Sequence, residues 1–108
     1  RILRTETEVL EPKKYKKKPL PVEVVQFNAE LGREFVLELA DWCGGQFAYV
    51  ETLPGLADNT YYWSIVIPTE EGPMHSRAGD YILKGPFGEF WSVKRHIFEE
   101  TYEEYIEE

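Results

Sequence analysis

Metal and disulfide chemistry have little to draw on in this chain. It carries one cysteine, Cys43, and two histidines, His75 and His96. A lone cysteine excludes an internal disulfide and suits a reducing cytoplasm. A structural zinc site normally takes four nitrogen or sulfur ligands, and these three show no paired spacing, so no metal is expected. The acidic groups Glu70-Glu71 and Glu99-Glu100-Glu103-Glu104 lack the alternation and central glycine of a calcium loop and read as solvated faces. No apolar run approaches the roughly 20 residues that span a bilayer. Nothing reads as a signal peptide, and the chain begins at Arg1 rather than methionine, which leaves open whether residues precede it. No internal repeat is visible.

Catalytic constellations are equally scarce. Ser64, Ser76 and Ser92 lack a nucleophile elbow, and Gly85-Pro86-Phe87-Gly88 lacks the Lys-Ser/Thr and helix of a phosphate loop. Cys43 falls at the end of a predicted helix, where the dipole disfavours a thiolate, so it reads as a small buried hydrophobe. Any two of the many carboxylates could converge for hydrolysis, but no spacing points to such a pair. The expectation is a protein that is not an enzyme and needs no cofactor.

What the chain does have is charge, unevenly placed. Net charge is −8 over 108 residues. Residues 1–20 contribute +4, mostly from the lysines between Lys13 and Lys18, and the remainder carries −12. A body of that sign repels phosphate, so direct DNA binding by it is not expected. An acidic surface serves solubility and can also face a basic protein. Residues 1–20, punctuated by Pro12 and Pro19, have no core-forming period and read as an extended basic arm or linker. Residues 21–108 read as a single domain, 43% of the whole chain being hydrophobic and able to supply a modest core.

Within that domain Val22–Phe27 reads as a strand, and Asn28 as the cap of a helix over about 29–43. Leu31, Phe35, Leu39 and Trp42 fall on one helical face, and Glu30, Arg33, Glu34, Glu38 and Asp41 on the other. Gly44-Gly45 ends the helix. Strands follow at Gln46–Thr52 and Thr60–Ile67, joined by a loop over Leu53–Asn59. A turn at Glu70–Gly72 leads to an extended stretch at Met74–Arg77. Asp80–Gly85 and Glu89–Val93 form a hairpin through Pro86-Phe87-Gly88, with Lys84 opposite Phe90, Leu83 opposite Trp91 and Tyr81 opposite Val93. Tyr81, Leu83, Trp91 and Val93 are expected on its core face. Lys94–Phe98 starts a short final helix, with Phe98, Tyr102, Tyr105 and Ile106 at helical spacing. The fold class is α+β: a twisted, mostly antiparallel sheet, able to curl toward a barrel, with one packed helix and a C-terminal hairpin over 80–93.

The hairpin region also carries a resemblance. Gly79-Asp80-Tyr81-Ile82, Lys84-Gly85, Gly88-Glu89-Phe90, Lys94 and Ile97-Phe98-Glu99, then Thr101-Tyr102-Glu103, match a pattern of the form PGDYIIKG-x-x-GEFYPCKPDIFEKTYE. That pattern resembles the C-terminal signature of small phage and prophage proteins. Lys13–Phe27, a basic run with prolines leading into a strand, resembles their N-terminal part. The chain departs at Ala78, at Trp91-Ser92-Val93 and at Arg95-His96. The resemblance implies provenance in an infected bacterial host, in the cytoplasm or in the virion, and implies no reaction.

Two uses follow from these readings. The first is a non-catalytic accessory protein that acts by binding, in host takeover or counter-defence, either blocking a host protein or holding a nucleotide-like ligand. The second is a structural or assembly component of a phage particle, or an appended domain of a longer phage protein. Arg77, Lys84, Phe90, Trp91, Lys94, Arg95 and His96 are the candidate ligand- or partner-binding residues. They put most of the body's positive charge beside aromatic rings, as a phosphorylated ligand or a protein interface would use. The same residues also read, and more simply, as core aromatics with basic residues solvated on strand edges. The +4 arm and −12 body also favour a homo-oligomer.

Overall fold

The computed structural model describes residues 10–51 and 61–106, with two antiparallel three-stranded sheets and two helices. The strands are β1 (Glu23–Gln26), β2 (Gln46–Glu51), β3 (Tyr61–Thr69), β4 (Gly72–Arg77), β5 (Tyr81–Lys84) and β6 (Phe90–Val93). The helices are α1 (Arg33–Trp42) and α2 (Arg95–Thr101). One sheet runs β1-β5-β6 and the other β2-β3-β4. The α+β class stands, and the strands divide between two open sheets instead of curling into a closed barrel. The expected loop over Leu53–Asn59 lies outside the described residues, as do residues 1–9.

Local sequence accounts for most of the elements. β3 and β4 meet through Glu70-Glu71-Gly72, and β5 and β6 through Pro86-Phe87-Gly88. The β5–β6 register is the one expected, with Lys84 against Phe90 and Tyr81 against Val93. The helical stretch divides. Asn28 Oδ1 accepts the Glu30 N–H and caps only a 3₁₀ turn, Ala29–Leu31. Gly32 then takes φ 94°, a conformation open to glycine but strained for other residues, and α1 starts anew at Arg33. The break rotates Leu31 off the apolar face, and it stands 60% exposed instead of packing. At the other end Gly44, with φ 66°, supplies the left-handed residue.

β1 reaches its partner from far along the chain. Val25 faces Ile82 and Val24 faces Leu83, and the ladder is prolonged by Phe27 N–H to Asp80 O and Gly79 N–H to Phe27 O, both 2.8 Å. The core gathers Phe27 of that strand end, Val36, Leu39, Ala40 and Cys43 around α1, Ile65 and Ile67 of β3, and Ile82 of β5. Phe90 packs against the cluster, its ring meeting Trp42 edge-on at 5.1 Å. Ser92 ties the sheets together: its hydroxyl bonds Ser76 Oγ at 2.9 Å, and its N–H meets Met74 Sδ at 3.1 Å.

This reverses the expected hairpin face. Ile82 and Phe90, not Tyr81, Leu83, Trp91 and Val93, point into the main core. Leu83 is nevertheless fully buried, because the sheet is covered on both sides. Tyr81 stacks on Phe98 of α2 at 4.0 Å, and Lys17 of the arm lies over the Trp91 ring at 5.5 Å. When both faces of a strand are buried, alternation cannot say which one faces the larger core. α2 also stops earlier than expected. Tyr102 is its extended C-cap, and Tyr105 and Ile106 lie exposed beyond it.

Candidate functional site

Three surfaces are candidates for a functional site, and the first is the corner held by Asp80. This buried carboxylate, 5% exposed, accepts the Arg77 N–H at 2.9 Å and the Lys94 ammonium at 3.2 Å. The Asp80 N–H returns a bond to Arg77 O, closing the turn between β4 and β5. The Arg77 backbone and the Lys94 side chain, distant in sequence, thereby meet at one carboxylate, while the Arg77 guanidinium lies 4.1 Å from the Tyr62 ring. Arg95 and His96 follow on the exposed first turn of α2. The Arg95 Nε–H donates to Glu99 at 2.9 Å, and that hydrogen bond raises the guanidinium pKa above its ordinary value.

The remaining candidates lie elsewhere. Phe90 belongs to the main core, and Lys84 reaches over its ring at 5.8 Å while pairing loosely with Glu23 at 3.9 Å. Trp91 lies on the opposite face of the same sheet, beneath Lys17. The seven therefore split into a corner group, Arg77, Lys94, Arg95 and His96, and two separate hairpin positions. Of the corner's three cations, Lys94 and Arg95 already have carboxylate partners, and the Arg77 guanidinium lies over the Tyr62 ring.

The second surface is a groove of about 760 Å³ between the arm and the C-terminal segment. Lys17–Val22 and Val24 form one wall, and Phe98, Thr101 and Tyr102–Tyr105 form the other. Its floor ends on a ladder of near-parallel rings, since Tyr81 stacks on Phe98 and Phe98 on Tyr102 at 5.0 Å. None of the seven sequence candidates lines it. The signal for it was present as Phe98 and Tyr102 one helical turn apart and as Pro19-Leu20-Pro21, but their meeting depends on where α2 docks.

The third surface is the outer face of α1. Glu34, Glu38 and Asp41 stand exposed in one row, with Glu30 just before them and Leu37, 43% exposed, among them. None of the four carboxylates forms an ion pair with a described residue. Like charges at this spacing repel, and Asp41 also sits at the negative end of the helix dipole.

Cys43, by contrast, is a core residue. It is 2% exposed, its thiol points at Ala40 O, and burial pushes its pKa up. Among the described residues no three of His, Cys, Asp and Glu are grouped to hold a metal ion. No helix among them is long and apolar enough to cross a membrane. Comparison with known protein families, characterised proteins and solved structures finds no match for this chain.

Proposed function

We propose that the chain is a non-catalytic phage accessory protein that works in the host cytoplasm by binding, laying the acidic outer face of α1 on a basic host protein. The carrying observation is that row: Glu30, Glu34, Glu38 and Asp41 are exposed together beside Leu37, and none forms an ion pair with a described residue, the neighbouring Arg33 guanidinium lying over the Phe47 ring at 5.5 Å instead. Such a row costs the free helix a little and becomes favourable when a basic surface covers it, with Leu37 as an apolar contact at its edge. The phage assignment and its role in host takeover or counter-defence come from the C-terminal resemblance. A nucleotide-like ligand at the Asp80 corner has less support, because Lys94 and Arg95 already have their charges paired.

The test is recovery of complexes from bacteria producing the chain, compared with the Glu34→Lys/Glu38→Lys double variant. The expected result is a basic host protein held at low salt, released as salt rises, and not held by the variant. Retention of the same protein by the folded variant would remove α1 from the interface.

A further inference from the structure

The groove beside α2 is open, and its two rims carry opposite charge. Lys17 and Lys18 stand on one side, Glu103 and Glu104 on the other, with an apolar floor between them. The arm that forms one wall is anchored where Lys17 covers Trp91. From there back to Leu10 every residue is exposed, including Leu10 at 74% and Tyr15 at 89%. This free part of the arm is basic, with Lys13, Lys14 and Lys16 against Glu11, while the surface from α2 onward holds Glu99, Glu100, Glu103 and Glu104.

We infer that the groove is filled by the arm of a second copy of this chain, each protomer giving its arm and receiving its partner's. A two-fold interface needs a surface that complements itself. A basic strip beside an acidic strip has that property, because rotation lays each on the other. Tyr15 and Leu10 of the incoming arm cover the aromatic ladder at Phe98 and Tyr102, and its lysines face the glutamates of the C-terminal segment. The chain's own arm is poorly placed for this. Lys17–Val22 already form the wall, so residues 10–16 would have to reverse at once to lie beside themselves. Because the basic strip and the acidic strip lie on one chain, a second copy satisfies both at once, which a foreign basic peptide would not.

The experiment is sedimentation velocity at micromolar concentration on three proteins: the intact chain, an arm-reversed variant (Lys13→Glu/Lys14→Glu/Lys16→Glu) and a tail-reversed variant (Glu100→Lys/Glu103→Lys/Glu104→Lys). All six positions are exposed, so circular dichroism should show unchanged folding. The intact chain should sediment at twice its 12.7 kDa mass and shift toward monomer at about 1 M salt, where the Debye length is about 3 Å. Each variant alone should be monomeric, and an equimolar mixture of the two should recover the dimer, since each arm then meets an opposite tail. An intact chain that stays monomeric overturns the inference. So does a dimer indifferent to arm reversal, or a mixture that fails to associate.

Discussion

Asp80 shows how much a single side chain organises here. It joins the end of β4 to the start of β5 and brings in Lys94 from beyond β6. Because Lys94 is 55% exposed, its ion pair contributes little, and the main contribution is the bond to the Arg77 N–H. Asp80→Ala should therefore destabilise by about 1–3 kcal/mol in urea denaturation, with Lys94→Ala well below that. Gly88, at φ 82°, makes a backbone demand of another kind. A Cβ there would meet nothing within 4 Å, so the cost of Gly88→Val is conformational strain alone, about 1–3 kcal/mol by the same measurement. Cys43 makes stability depend on pH. Burial holds its folded pKa above the ordinary 9.0, so the unfolded chain loses the thiol proton first as pH rises past that value. With fewer protons on the unfolded state, stability falls with increasing pH in that range and is unaffected by this group below it. Cys43→Ala should flatten that alkaline decline in thermal melts compared across pH.

At the scale of elements, α1 combines a buried face that holds the core with an outer face that works against the helix. Val36, Leu39 and Ala40 anchor it to β3 and β5 through the common cluster, whereas Glu34 and Glu38 repel one turn apart. Replacing Glu38 by Lys turns that repulsion into a Glu-before-Lys pair at i, i+4. Glu38→Lys should then raise stability by about 0.2–0.5 kcal/mol, read from the denaturation midpoint, while weakening any complex that uses this face. A gain in stability together with a loss of binding separates a functional row of carboxylates from an incidental one. Short α2 has no buried residue and is held from outside, by the Tyr81–Phe98–Tyr102 ladder and the Lys94 anchor that precedes it.

The whole molecule divides at Lys17. Lys17 lies over Trp91 of the β1-β5-β6 sheet and Lys17–Val22 wall the groove, whereas residues 10–16 are exposed and without secondary structure. Removing residues 1–16 should leave a cooperative thermal transition within about 2 °C of the intact chain, because no described side chain in that stretch is buried. A larger drop at a concentration where the intact chain is monomeric would show that the arm supports its own body.

Local chemistry made several elements legible before any tertiary contact. Pro86-Phe87-Gly88 specified the β5–β6 turn, and with the turn came the register of every pair in that hairpin. The apolar spacing of Phe35, Leu39 and Trp42 marked the helix, and Gly44 its end. These are short-range effects, carried by φ preference and periodicity. The pairing of β1 with β5 was decided by packing across more than fifty residues, and no local signal records such a choice. The same holds for the hairpin's faces. Ile82 and Leu83 are adjacent and both fully buried, so only the placement of α1 on one side and of α2 with the arm on the other decides which core each joins. The candidate residues divided for that reason as well. The Arg77 backbone and the Lys94 ammonium meet because Asp80 binds both, while Phe90 and Trp91, neighbours in sequence, point to opposite sides of one strand. The groove exists only in the tertiary structure, since its two walls come from opposite ends of the described chain and have no common signal until α2 is docked.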